Sequence, residues 1–115
     1  QRLSKNGLVI TQATSPYFAI KSFSCIANTF KDVWSNTRLL RLNVPSFGEW
    51  GFVIGSNNKI HKPQLNKKIN YKFLNKEAIE LLPFFPKDER LKTTAINTLM
   101  HPVLIDYYAK EWTKW

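Results

Sequence analysis

Apolar positions along this chain change period several times, and each change marks an element. Gly7-Leu-Val-Ile-Thr-Gln-Ala13 is a short, almost unbroken apolar run after a glycine. Such a run predicts a strand covered on both faces, the kind found in a parallel α/β sheet. Ser15-Pro16 then announces a helix, with Ser as the capping residue and Pro at the first helical position. Ala19, Ile20, Phe23, Ile26, Ala27, Phe30, Val33 and Trp34 follow at three- and four-residue steps, a single apolar stripe that covers one face of a sheet. Lys21, Ser22, Asn28, Thr29, Lys31 and Asp32 fill the remaining positions, and Ser35-Asn36 ends the helix.

From Arg38 the period becomes two. Leu40, Leu42 and Val44 alternate with Arg41, Asn43 and Pro45, and beyond a turn Trp50, Phe52 and Ile54 alternate with Gly51, Val53 and Gly55. Alternation on both flanks of a glycine-containing turn predicts a β-hairpin. Its tip is unusual. Phe47, Glu49 and Trp50 stand where a purely structural hairpin would carry Asn-Gly or Asp-Gly, and they are expected to project together. Aromatic walls beside a carboxylate suit a ligand with an alkyl body and an ammonium head; the competing reading is aromatics that close the end of the core, with Glu49 in solvent.

Residues 56–71 are polar and rich in lysine, a surface loop. Phe73-Leu74 reads as an anchor, Asn75 as the cap of a short helix to Leu82, and Pro83 and Pro86 bracket Phe84-Phe85. Asp88 predicts the cap of a helix carrying Leu91, Ala95, Ile96 and Leu99, with Asp88 and Glu89 placed to favour its dipole. After His101-Pro102 a last amphipathic helix carries Val103, Leu104, Tyr107, Tyr108 and Trp112. The chain thus divides into 1–58, a lysine-rich loop at 59–72 and a helical extension at 73–115.

Composition narrows the possibilities. With 115 residues, 43% hydrophobic and 14% aromatic, this is one globular unit, and its apolar runs are too short to span a bilayer. A net charge of +9 draws phosphate polymers, anionic lipid or an acidic neighbour. Much of it is Lys59, Lys62, Lys67, Lys68, Lys72 and Lys76, in and just after the loop, which have no arginine and few aromatics (Tyr71 and Phe73) among them, a poorer nucleic-acid footprint than a solvated connector. The single cysteine, Cys25, excludes an internal disulfide and reads as a small buried hydrophobe. His61 and His101 have no partners at metal-ligand spacing, and neither a nucleophile triad nor a glycine-rich phosphate loop is present. Gln12, at the carboxyl end of the first strand, either faces a ligand, as such positions do in open α/β sheets, or satisfies nearby backbone.

The string Val44-Pro-Ser-Phe-Gly-Glu-Trp-Gly-Phe52, preceded by Leu8-Val-Ile-Thr-Gln12-Ala-Thr-Ser-Pro16, resembles the C-terminal part of the spermidine synthases, the polyamine aminopropyltransferases. The nearest match is the bacterial subgroup that carries an N-terminal membrane domain. Phe73-Leu74, Phe85-Pro86-Lys-Asp88, Ile96-Asn97-Thr-Leu99 and Tyr107-Tyr108 with Trp112 agree with it, so the likeness covers nearly the whole chain.

The resemblance implies an α/β fold, the C-terminal half of a methyltransferase-like Rossmann domain: one parallel-type strand, a covering helix and an antiparallel hairpin, then a small helical tail. It implies transfer of aminopropyl from decarboxylated S-adenosylmethionine to putrescine or a similar diamine in the full-length protein. Gln12, Phe47, Glu49 and Trp50 would shape the amine pocket, Phe47 standing where many members have a tyrosine. The family's glycine-rich segment and catalytic aspartates lie upstream, so a C-terminal fragment is expected, inactive alone, binding no cofactor itself and holding no catalytic residue. A cytoplasmic location follows, with membrane contact only through the parent's N-terminal domain and anchoring at the inner membrane where that domain is present. An open edge on the strand at 7–13 would pair with another chain, as in a homo-oligomer. The alternative is a small basic nucleic-acid-binding or protein-interaction domain without catalysis.

Overall fold

A computed structural model describes residues 3–114; the outer ends of the first and last predicted segments, at residues 1, 2 and 115, lie outside them. Strand β1 (Val9–Gln12) leads through a turn into helix α1 (Ile20–Val33). The hairpin arms β2 (Asn36–Val44) and β3 (Gly48–Ser56) follow, then the short helix α2 (Lys76–Leu81), a 3₁₀ turn at Lys87–Glu89 and helix α3 (Val103–Trp112). The chain is therefore α/β, with a three-stranded antiparallel sheet in the order β1-β3-β2.

Two expectations for the first strand are corrected here. It runs antiparallel to β3, Val9 opposite Gly55 and Gln12 opposite Phe52, and is not paired in the parallel sense. Nor is it buried on both faces: Leu8 and Ile10 are exposed, while Val9 and Thr11 are half-buried. An apolar run cannot by itself say whether both faces are covered, because the covering elements lie elsewhere in sequence. As the end member of the sheet, β1 has one edge without a strand partner among the described residues.

The pleat sorts the side chains. With Leu42 opposite Trp50, Leu40 opposite Phe52 and Ile10 opposite Ile54, these residues and Gln12 share one face. Leu39, Arg41, Glu49, Gly51, Val53 and Gly55 lie on the other, which α1 covers. Small residues on that second face let the helix come close. A Cβ at Gly51 would sit 2.4 Å from the Phe23 ring, and one at Gly55 would sit 2.4 Å from the Trp34 ring. Phe23 and Val53 are fully buried with Ala13 and Ala27, and Phe85 stacks on Phe23 at 5.8 Å.

The predicted helix after Asp88 does not form beyond the 3₁₀ turn; residues 91–98 carry no regular secondary structure and are held against α1. Side chains of α1 capture that backbone before it can coil. Ser24 Oγ accepts from Lys92 N at 2.9 Å, and Asn28 Nδ2 donates to Lys92 O at 3.1 Å. Thr29 Oγ1 accepts from Asn97 N at 2.9 Å. Helix α1 is consequently covered on both sides, not on one stripe, and Ser22, Ser24 and Cys25 are buried. The Cys25 thiol donates to Ala95 O at 3.4 Å, and burial raises its pKa, with the Thr29 and Thr94 hydroxyls opposing. Cys25 is a core thiol, as its sequence neighbours suggested. Among the described residues no helix is long and apolar enough to cross a membrane.

Candidate functional site

Three pieces of chain converge at the carboxyl end of β1. The first is Gln12 itself, exposed at the strand end. The second is the link to α1. Thr14 takes a positive φ of 58°, unusual for a β-branched residue, and its carbonyl accepts from Gly51 N at 2.7 Å while Ala13 N donates to Gly51 O at 2.9 Å. Two residues thus oppose one, as in a β-bulge, which ends the pairing and redirects the chain. Ser15 Oγ accepts from Tyr17 N and Phe18 N at 3.2 and 3.1 Å, performing the capping role its sequence predicted one turn before regular helix begins.

The third piece is the hairpin tip. Phe47 N donates to Val44 O at 2.9 Å, and Ser46 has φ 74°. Pro45 followed by a left-handed residue matches the type II turn pattern. Gly48, also left-handed at φ 75°, brings the tip over Phe18, whose ring would lie 3.3 Å from a Cβ placed there. Phe47 is 67% exposed and meets Trp50 edge-on with centroids 6.2 Å apart. Tyr17, half exposed, packs edge-on against Phe18 at 5.0 Å. Trp50 and Gln12 are diagonal neighbours on one sheet face.

Gln12, Phe47 and Trp50 are therefore brought together. Glu49 is not with them. Strand alternation turns it to the face opposite Trp50, where its carboxylate sits 2.7 Å from Arg41 Nη1. The same guanidinium lies 3.4 Å from Glu89 Oε2, which takes no hydrogen bond, and Arg41 Nε donates to Phe84 O at 2.7 Å. Arg41 N also donates to Leu82 O at 2.8 Å. Arg41 is thus a clasp tying the hairpin to the segment 82–89. Glu89, expected as a helix cap, is instead buried against it.

Burial pushes the Glu89 carboxyl above its usual 4.5; Arg41 opposes this, and the Glu49 and Asp88 charges add to it. The folded protein holds this proton more firmly than the unfolded chain, so stability falls as pH rises from the ordinary carboxylate value through the raised one. Glu89→Gln should flatten that fall. The urea midpoint of the wild type should drop more between pH 5 and pH 7 than that of the variant; parallel profiles would contradict this.

Sequence reasoning missed Tyr17, Phe18 and Arg41. The first two follow the Ser-Pro cap directly, so they begin at the mouth of the strand end. Arg41 and Glu49 share a sheet face once the register is known, and alternation counted from the turn would have paired them. Among the described residues no group of three or more His, Cys, Asp or Glu side chains gathers for a metal ion. The corner offers the π faces of Phe47 and Trp50 and the amide of Gln12, with the Tyr17–Phe18 pair beside the tip.

No protein-family model matches the chain. Curated proteins do. It is 36% identical over 99% of its length to a polyamine aminopropyltransferase of Leptospira interrogans, covering 23% of that protein. It is 36% identical over 96% of its length to one from Oceanobacillus iheyensis and 34% identical over 95% to polyamine aminopropyltransferase 2 of Aquifex aeolicus, covering 22% of each. The chain thus spans between a fifth and a quarter of the length of these relatives. With strand end, hairpin and helical extension all inside the matched stretch, the sequence matches the polyamine aminopropyltransferases, the spermidine synthase family, along nearly its whole length.

Proposed function

We propose that this chain forms the amine-holding side of an aminopropyltransferase, the C-terminal half of a methyltransferase-like domain whose remaining groups lie outside it. Putrescine or a similar diamine lies against Phe47 and Trp50, and Gln12 accepts a hydrogen bond from one ammonium end. Contact of an ammonium with these rings is worth about 0.5–2 kcal/mol. The exposed aromatic corner beside a strand-end glutamine carries this reading. Glu49 acts at one remove, by fixing the start of β3 through Arg41. In the complete enzyme the free amine would attack the methylene beside the sulfonium of decarboxylated S-adenosylmethionine. A C–N bond forms as the C–S bond breaks, the thioether leaves, and the amine's proton passes to a base supplied from outside this chain. The unpaired edge of β1 and the face bearing Ile10, Phe52 and Ile54 are where that remainder docks.

Titration of the 115-residue chain with putrescine, followed by amide and indole NMR shifts, tests the corner. Shifts should centre on Gln12, Phe47 and Trp50. Trp50→Ala should weaken binding about two- to thirtyfold, the range that cation–π energies convert to. Phe47→Tyr, which restores the family's usual hydroxyl, should tighten it. Shifts spread over the surface, or unchanged affinity in Trp50→Ala, would count against the proposal.

A further inference from the structure

A second concavity lies away from the aromatic corner, between β2, the lysine-rich loop and α2. It is a cleft of about 620 Å³, within the size range of small-molecule sites. Its apolar surface comes from Leu40, Leu65 and Ile79, with Pro63 and Pro83. Its charge comes from Arg38, Lys62 and Lys76 against the single carboxylate of Glu80, three cations to one anion.

Arg38 is the fixed member of the set. Its Nη1 and Nη2 donate to the carbonyls of His61 and Ile60, both at 3.0 Å, which orients the guanidinium without neutralising it. The described ion pairs involve Arg41 alone, so Arg38, Lys62 and Lys76 bring unpaired positive charge to the cleft. An apolar floor with an excess of cations matches a ligand of the opposite sign to a polyamine.

We propose that this cleft binds amphipathic anions: small molecules with an aliphatic or aromatic body and one carboxylate or phosphate head. The body lies on Leu40, Leu65 and Ile79. The head sits among Arg38, Lys62 and Lys76, and Glu80 repels any ligand bearing a second negative group on its side. Such a site is independent of the amine corner, which lies further along the same sheet face, and it gives the lysine-rich loop a role other than that of a solvated connector.

Methyl-resolved NMR of the 115-residue chain tests this with three probes of equal chain length, octanoate, octyl phosphate and octylammonium. Octanoate or octyl phosphate should give saturable shifts at Leu40, Leu65 and Ile79, and the tighter of the two assigns the head group. Octylammonium should bind at least tenfold more weakly there. Lys62→Glu with Lys76→Glu, both at exposed positions, should weaken the anions at least tenfold and leave the Val53 methyl shifts unchanged. Equal binding of octylammonium, or shifts centred on the exposed Leu99, Met100 and Ile105, would overturn the proposal. So would an absence of saturable binding, which would leave the cleft to be covered by polypeptide.

Discussion

Phe23→Ala is expected to remove about 3–5 kcal/mol of folding stability, the largest loss from any single truncation in this chain. The ring is fully buried, turns its Cδ2–Cε2 edge to Gly51 and stacks on Phe85. Its removal opens a void between helix and sheet and takes the partner from Phe85, by which the 82–89 segment reaches the core. Since small domains have about 5–15 kcal/mol in total, the loss would be a large fraction of the protein's stability. Gly51→Ala should destabilise on its own, because the new Cβ would fall 2.4 Å from that ring. Combined, the two changes should cost less than their sum, the added methyl entering the space the ring left. Urea denaturation of the two single variants and the double measures this. Strict additivity would mean that the ring does not rest on the glycine.

Glu111→Ala is expected to cost about 3 kcal/mol, since a buried carboxylate would leave its donors without a partner. Glu111 reaches from α3 to the start of α1. Its Oε1 accepts from Lys21 N at 2.7 Å, and its Oε2 accepts from Ser22 N at 2.9 Å and Ser22 Oγ at 2.7 Å. A carboxylate at that helix end also meets the positive pole of the dipole. Ala19, the residue before the helix, has no side-chain cap of its own, so a residue ninety positions away supplies one. Hydrogen exchange should quicken at Lys21 and Ser22, and α3 should loosen with them; Ser22→Ala, which removes one donor, should cost less. Unchanged protection in Glu111→Ala would show that α3 docks by apolar contact alone.

What the sequence made legible was local. The hairpin, the Ser15 cap, the Asn75 cap and the burial of Cys25 all follow from residues close together in the chain, and Asn75 Oδ1 does accept from Ala78 N at 2.7 Å. What it concealed was set by distant partners. The polar positions of α1 read as solvent-facing because the stretch that binds them lies more than sixty residues on. The same capture explains why Leu91, Ala95, Ile96 and Leu99, spaced for a helix, form none. The candidate site divides the same way. Gln12, Phe47 and Trp50 were readable as a motif, whereas the assignment of Glu49 to Arg41 needed the strand register.

In the proposed function Gln12, Phe47 and Trp50 form one surface for a diamine. The most direct measurement is the intermolecular nuclear Overhauser effect between putrescine methylene protons and side chains of the isotope-labelled chain. Cross-peaks to the Phe47 ring and the Trp50 indole, together with a shifted Gln12 side-chain amide, are the predicted result. Cross-peaks confined to other residues, with Phe47, Trp50 and Gln12 silent at saturating diamine, would contradict it.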